Sequence, residues 1–208
     1  MKKIMAAAIT AVATLTATFA AASPASAYDK YGAANYADTY ALSSNSSYPS
    51  FSDDCTNFVS QALNGGGYSF VGYPNSTTDD HNWWIAPNYW WWDYTHSWSV
   101  AADLHTFLQL DYPGGWSEGT APGSSTSYWD PSAMTSGDVL FYDWGGGDGI
   151  SHAARQVGYG TDPNSGWTGN YVDEHTSNRK HAFWSLKPYN SKWATTTIYF
   201  THIGPNNN

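Results

Sequence analysis

A single cysteine and two histidines are the residues whose types and spacing point most directly to chemistry. Residues 52–64 read SDDCTNFVSQALN, and Cys55 is the only cysteine in the chain. Asp53 or Asp54 can cap a helix that starts near Cys55 and ends at the glycines 65–67. A thiol in the first helical turn lies near unpaired N–H groups and the positive end of the helix dipole, which favour the thiolate. Cys55 is therefore a candidate nucleophile, with a buried structural thiol as the alternative.

A nucleophilic thiol needs a base, and the chain has seven histidines. His152 opens a predicted strand directly after the glycine-rich turn WGGGDGIS, and His175 lies on the next predicted strand. If these strands pair, the two imidazoles lie side by side and His175 can orient His152. A surface or packing role is favoured for the other five. These five are His81, His96, His105, His181 and His202.

The sequence gives weaker support to two other kinds of site, a serine nucleophile and a metal centre. Residues 115–119 match the G-x-S-x-G pattern around Ser117, but that pattern requires a strand before the serine and a helix after it. Both flanks resemble loops here, which indicates a chance match. Neither H-E-x-x-H nor C-x-x-C occurs, so the sequence predicts neither a metal site nor a cofactor.

The elements that must position these groups can be read from hydrophobic spacing. The pattern predicts helices at 28–42, after Asp54 and at 101–110, and a long insertion from Tyr68 to Ser136. Strands are predicted at 138–144, 152–160, 170–178 and 195–204. Glycine- and asparagine-rich connections between these strands favour an antiparallel meander. Helices followed by strands indicate an α+β fold in a single domain.

The segment 82–98 contains six of the twelve tryptophans. Exposed indoles in a cleft can stack on sugar rings, whereas buried ones supply the core of a domain that has no disulfide. Burial is predicted for most of them, and the candidates for lining a substrate groove are Trp83, Trp84 and Trp91. Neighbouring residues of a strand point to opposite sides, so at least one ring among residues 90–92 is expected to meet solvent.

The N-terminus has the features of an export signal. Lys2 and Lys3 precede an alanine- and threonine-rich run that ends in Ala-Ser-Ala at 25–27, which predicts a signal peptide at 1–27 and a secreted, extracellular protein. Removing both lysines leaves 6 basic against 17 acidic residues, a net charge of −11. Such an acidic chain is not expected to bind nucleic acid or, after signal cleavage, a membrane. We expect a monomer.

The order of these blocks resembles a known family. YDKYGAANYADTYAL, DDCTNFVSQALNGGG, SGDVLFYDW, SHAARQVG and VDEHTSN follow one another as in the putative amidase domain of secreted bacterial proteins, which is related to the papain-like NlpC and CHAP cysteine hydrolases. The resemblance extends from about Tyr28 to His202. It implies a papain-like α+β fold, with N-terminal helices and an antiparallel sheet, in one catalytic domain spanning 28–208.

The resemblance also implies catalytic roles. Cys55 would be the nucleophile and His152 the general base and acid. His175 would be the third, orienting residue, although related enzymes also use Glu, Asn or Gln there, so Glu174 or Asn178 can hold that place instead.

The expected reaction is amide hydrolysis through a thioester, with backbone N–H groups at the start of the cysteine helix stabilising the oxyanion. Asp54 or Asn57 is expected to shape that pocket. The expected substrate is the peptide part of cell-wall peptidoglycan. Two alternatives remain: a non-enzymatic glycan- or wall-binding module that uses the tryptophans, and an acyltransferase with the same Cys-His pair.

Overall fold

The computed structural model describes residues 28–110, 114–126 and 134–204. These residues contain four helices and eight strands, joined by turns and loops. The predicted signal peptide lies outside these residues. The helices are α1 (Lys30–Tyr40), α2 (Cys55–Gly65), α3 (His96–Ser99) and α4 (Ala101–Leu108). The strands are β1 (Ile85–Pro87), β2 (Trp92–Tyr94), β3 (Gly115–Pro122), β4 (Val139–Asp143), β5 (Ile150–Thr161), β6 (Thr168–Glu174), β7 (Arg179–Phe183) and β8 (Thr197–Ile203).

Six of the strands form one antiparallel sheet in the order β3-β8-β4-β5-β6-β7. The predicted combination of helices with an antiparallel sheet is confirmed, and β4, β5 and β6 follow one another as in the predicted meander. β8 departs from it, because the last strand inserts between β3 and β4. β3 and β7 were not predicted. Ser117 of the G-x-S-x-G match is exposed on edge strand β3, where the required strand-to-helix turn is absent.

Alternation along β4 divides the core between the two faces of this sheet. Val139 and Phe141 pack in the cluster that contains α2 and α4, whereas Leu140 and Tyr142 pack with Trp184 on the opposite face. The burial is complete for all five side chains. The sheet therefore has a hydrophobic layer on each side.

Helix α2 packs against both α1 and β5 and is buried from Cys55 to Leu63. α1 packs against it through the small residues Ala33, Ala34 and Ala37, which allow close approach. Gly66 ends α2 by donating its N–H to main-chain carbonyls of the last turn. No helix among the described residues is both long and apolar enough to cross a membrane.

A buried asparagine ties α2 to its surroundings. The Asn57 amide nitrogen donates to the Pro49 carbonyl and to Asp54 Oδ1, both at 2.8 Å, and its oxygen accepts from Trp98 Nε1 at 2.7 Å. Asn57 is fully buried. It therefore joins the loop before α2, the start of α2 and the aromatic core.

Asn57→Ala should lower the free energy of unfolding by about 2–4 kcal/mol, because the indole N–H of Trp98 and the carbonyl of Pro49 lose their partners inside the protein. Urea unfolding measures this change. Asn35→Ala on the exposed face of α1 is the matched control and should change stability by less than about 0.5 kcal/mol. Equal stability of the two variants would show that Asn57 does not hold this region.

Candidate active site

The only cysteine is the first residue of α2, so its thiol lies at the helix N-terminus as predicted. Asp54 occupies the N-cap position, but its carboxylate does not cap the helix. It instead accepts from the Phe51 N–H at 2.9 Å, from the Asn57 side chain at 2.8 Å and from His175 Nδ1 at 2.7 Å. Asp54 therefore holds the loop that delivers Cys55 and is not free to contact a reacting group.

The first N–H groups of α2 meet a side chain from the sheet. The hydroxyl of Thr176, in the turn after β6, accepts from the main-chain N–H of Asp54 at 3.0 Å and of Cys55 at 3.2 Å. Thr176 has a φ of +75°, a left-handed conformation that is rare for a β-branched residue. Strain of this kind persists where the surrounding contacts impose it. The hydroxyl occupies the position at the helix N-terminus where the oxyanion site was predicted.

His152 lies on β5 directly after the glycine-rich turn, paired in register with Tyr142 of β4. Its ring is buried and lies 5.4 Å from the Trp144 ring. Nε2 of His152 lies 2.5 Å from Oε2 of Glu174, the last residue of the neighbouring strand β6. Because the carboxylate only accepts, Nε2 carries the hydrogen, and Nδ1 remains for the thiol.

The thiol of Cys55 and the ring of His152 shift each other's pKa. Burial would raise the pKa of Cys55, but hydrogen bonding to His152, the charge of that ring and the N–H of Ala153 lower it to about 7. Burial would lower the pKa of His152, whereas its contacts with Cys55 and Glu174 raise it to about 10. The pair is therefore a thiolate and an imidazolium between these two values.

Arg179, which was not predicted from the sequence, binds the second carboxylate oxygen of Glu174. It begins β7 directly opposite Glu174 and donates Nη1 to Oε1, while its guanidinium lies 4.7 Å from the Tyr189 ring centroid. Burial would raise the pKa of Glu174, but the contacts with His152 and Arg179 lower it. The sequence feature that could have identified this pair is the opposite charge of Glu174 and Arg179 on either side of a four-residue turn.

The structure places His175 away from the role that was predicted for it. Its Nδ1 lies 2.7 Å from Asp54 Oδ2, its Nε2 lies 2.8 Å from the Tyr40 carbonyl, and its ring stacks on Phe58 at 4.0 Å. Both partner atoms are hydrogen-bond acceptors. His175 thus fastens the end of α1 to the start of α2, and the geometry favours Glu174 as the partner of His152.

The two asparagines that the sequence suggested as supporting residues, Asn178 and Asn57, do not take the predicted roles. Asn178 is exposed in the turn between β6 and β7. Asn57 is fully buried with its amide groups bound to Pro49, Asp54 and Trp98, so it does not shape an oxyanion pocket.

The expected tryptophan groove is wrong for Trp83. Trp83 is fully buried in the main core with its Nε1 bonded to Ser60, and Trp84 is only 3% exposed. Trp91 is 58% exposed at the tip of the β1–β2 hairpin. Only three of the six tryptophans in residues 82–98 are buried, so the prediction that most of them are buried holds for half. The prediction that at least one of residues 90–92 meets solvent is confirmed.

A cleft of about 210 Å³ opens beside His152 and Glu174. Its wall combines aromatic rings with hydroxyl, amide and guanidinium groups, supplied by Trp144, Thr176, Ser177, Arg179, Tyr189 and Asn190. A planar polar group such as an amide can be held there by both kinds of contact.

Two clusters of possible metal ligands occur among the described residues, and neither includes the thiol or His152. One comprises Asp38, Asp173 and His181, where Lys180 already donates to the Asp38 carboxylate at 2.9 Å. The other is the exposed run 79–81. Neither cluster overlaps the candidate active site at Cys55 and His152.

Comparison with known proteins identifies relatives of this chain. The family model described as "Putative amidase domain" matches residues 27–200. The chain is also 28% identical over 178 residues to the "Uncharacterized protein YhbB" of Bacillus subtilis (strain 168). The alignment covers 85% of this chain and 50% of that protein, so the chain spans about half the length of the relative. No solved structure matches it significantly.

The rate of Cys55 alkylation by iodoacetamide should rise with pH around a midpoint near 7. His152→Ala should move the midpoint above the ordinary thiol value of about 8.5, because burial then acts without the contacts that lower the pKa. Mass spectrometry of the single cysteine gives the rate directly. His81→Ala, which removes an exposed ring, should leave the midpoint unchanged. A midpoint above 8 in the unaltered protein would contradict the thiolate pair.

Glu174 and His175 can be separated by substitution. Glu174→Gln should raise the thiol midpoint, because the imidazolium that pairs with the thiolate loses its counter-charge. His175→Ala should leave the midpoint in place but lower the free energy of unfolding by about 1–3 kcal/mol, because Asp54 and the Tyr40 carbonyl lose a buried donor. Alkylation profiles and urea unfolding measure the two effects. The opposite pattern would assign the orienting role to His175.

Proposed function

Because this chain belongs to the putative amidase domain family, we propose that it is an exported cysteine hydrolase that cleaves amide bonds of cell-wall peptides. The observation that carries the proposal is the chain of contacts from Cys55 through His152 to Glu174. It supplies a nucleophile, a proton carrier and a fixed counter-charge in one buried site. A papain-like relationship to the NlpC and CHAP hydrolases is part of this proposal.

The reaction follows from these groups. The Cys55 thiolate attacks the amide carbonyl carbon, and the carbonyl oxygen becomes an oxyanion. The His152 imidazolium then gives its Nδ1 proton to the leaving amine as the C–N bond breaks, which leaves a thioester and a neutral imidazole. That imidazole takes a proton from water, whose oxygen attacks the thioester and releases the carboxylic acid and the thiolate. Glu174 stabilises the imidazolium at the start and end of the cycle.

The oxyanion would be held at the start of α2. The Cys55 N–H is aligned toward the Thr176 hydroxyl before substrate arrives. A substrate oxygen that displaces this hydroxyl would meet a donor already oriented by the helix, and the helix dipole adds to its stabilisation. Thr176 therefore keeps the donor satisfied in the free enzyme.

Three features support a cell-wall peptide as the substrate. The signal-like N-terminus would deliver the protein to the compartment that holds this material. The cleft beside His152 presents aromatic, amide and guanidinium groups, which suit the amides and carboxylates of a short peptide. The acidic composition disfavours nucleic acid and anionic lipid as substrates. Hydrolysis of a peptide amide therefore fits the site and the chain together.

The test is mass spectrometry of the fragments that the protein, without residues 1–27, releases from purified peptidoglycan. Cys55→Ala and Cys55→Ser should reduce release by about 10³-fold or more while the fold is retained, because neither variant carries a thiolate. Ser117→Ala, in the G-x-S-x-G match, is the matched control and should retain full activity.

Release that survives in both Cys55 variants would overturn the proposal. Added amine nucleophiles separate hydrolysis from acyl transfer: a free carboxylate at the cleaved position supports the hydrolase, whereas an amide of the added amine replaces it by the acyltransferase alternative.

A further inference from the structure

The turn between β1 and β2 exposes three consecutive aromatic side chains. Tyr89 is 83% exposed, Trp90 79% and Trp91 58%, although each ring has a large apolar surface. Isolated exposed hydrophobic residues are common, but a contiguous aromatic group on a soluble domain marks an interaction site. The proposed amide chemistry does not use these residues.

The turn is held in a fixed shape by its own polar groups. The Asn88 N–H donates to the Trp91 carbonyl at 2.7 Å. The Asp93 carboxylate accepts from the Asn88 side chain at 2.7 Å and from the Trp91 indole at 3.1 Å. Tyr89 and Trp90 meet edge to face with centroids 4.6 Å apart. The rings are thus presented in a defined arrangement, which lowers the entropy cost of binding.

A pocket of about 540 Å³ lies against the same turn and shares Asn88 and Asp93 with it. Its other polar groups come from Asn75 and Thr77. Trp84 also lines it, and the buried indole Nε1 of this residue has no hydrogen-bond partner among the described residues. The pocket therefore combines carboxylate, amide and hydroxyl groups with an aromatic residue in its wall.

The charge distribution limits what can bind here. The sequence contains no lysine or arginine between residues 31 and 154, the stretch that supplies the hairpin and every residue lining the pocket, and the carboxylate of Asp93 is among them. An anionic polymer or lipid surface would be repelled. A pyranose ring matches the chemistry instead, because its C–H face packs on an indole while its hydroxyl groups bond to carboxylate and amide side chains.

We propose that the hairpin turn 88–91 and the adjoining pocket form a binding site for an uncharged polysaccharide strand, separate from the thiol site. The hairpin contacts the loop that leads to Cys55: the rings of Tyr94 and Phe51 lie 5.0 Å apart, and those of Trp92 and Tyr48 lie 6.4 Å apart. Phe51 in turn donates its N–H to Asp54. A strand bound at the turn is therefore retained on the same side of the molecule as the loop that precedes the thiol.

The test uses the protein without residues 1–27, with Cys55→Ala to prevent turnover, in pull-down assays on chitin, cellulose and peptidoglycan freed of anionic polymers. Binding to at least one of these is expected. Trp90→Ala combined with Trp91→Ala should weaken that binding by at least about tenfold, because two stacking faces are removed.

Trp193→Ala and Tyr159→Ala are the matched controls. Both rings lie outside the hairpin, and their side chains are 39% and 57% exposed, respectively. Both should bind like the unaltered protein. Circular dichroism verifies the fold of every variant. Absence of binding to all three polysaccharides, equal binding by the Trp90 and Trp91 double variant, or preferential binding to anionic phospholipid vesicles would each overturn the proposal. None of these readouts depends on amide cleavage, so the two proposals fail separately.

Discussion

The contact between Nε2 of His152 and Glu174 determines what the rest of the site can do. At 2.5 Å in a buried position it fixes the ring orientation and the nitrogen that faces Cys55. A buried carboxylate is costly without partners, and Arg179 on the adjacent strand supplies the second one. The resulting row of charges runs from arginine through carboxylate and imidazolium to thiolate. Each charge in it is neutralised by a direct neighbour.

The turn after β6 brings three functions to three consecutive residues. Glu174 orients His152, His175 ties Asp54 to the Tyr40 carbonyl, and the Thr176 hydroxyl receives the N–H of Cys55. The end of the sheet and the start of α2 are therefore positioned by one short segment. The left-handed φ of Thr176 is consistent with this arrangement, because the contacts on both sides of it fix the backbone.

Sequence reasoning located Cys55 and His152 because the signals are local: a capped helix start and a glycine-rich turn before a strand. It could not decide between Glu174 and His175. Adjacent residues near a strand end point to opposite sides, so only one faces His152, and the choice depends on register. The pairing of β6 with β7 shifts register between Val172 and Glu174, and the sequence contains no pattern that predicts this shift.

Other differences have similar causes. β7 begins with the charged run Arg-Lys-His, which does not have the hydrophobic pattern expected of a strand. The role of Arg179 follows only from its cross-strand pairing with Glu174. The hydrophobic pattern could not separate Trp83, which fills the core, from Trp91 on the hairpin tip, because both occur in one aromatic run. Their separation depends on where the chain turns between β1 and β2.

The overall charge of the protein explains why the site depends on close contacts. A net charge of −9 disfavours an additional thiolate at long range. Screening confines that effect to about a Debye length, roughly 8–10 Å, whereas groups touching the sulfur are not screened by intervening water. The N–H of Ala153 and the ring of His152 both contact the thiol and lower its pKa. The lowered pKa of the Cys55 thiol in so acidic a chain therefore depends on its contact with His152, whose charge Glu174 balances.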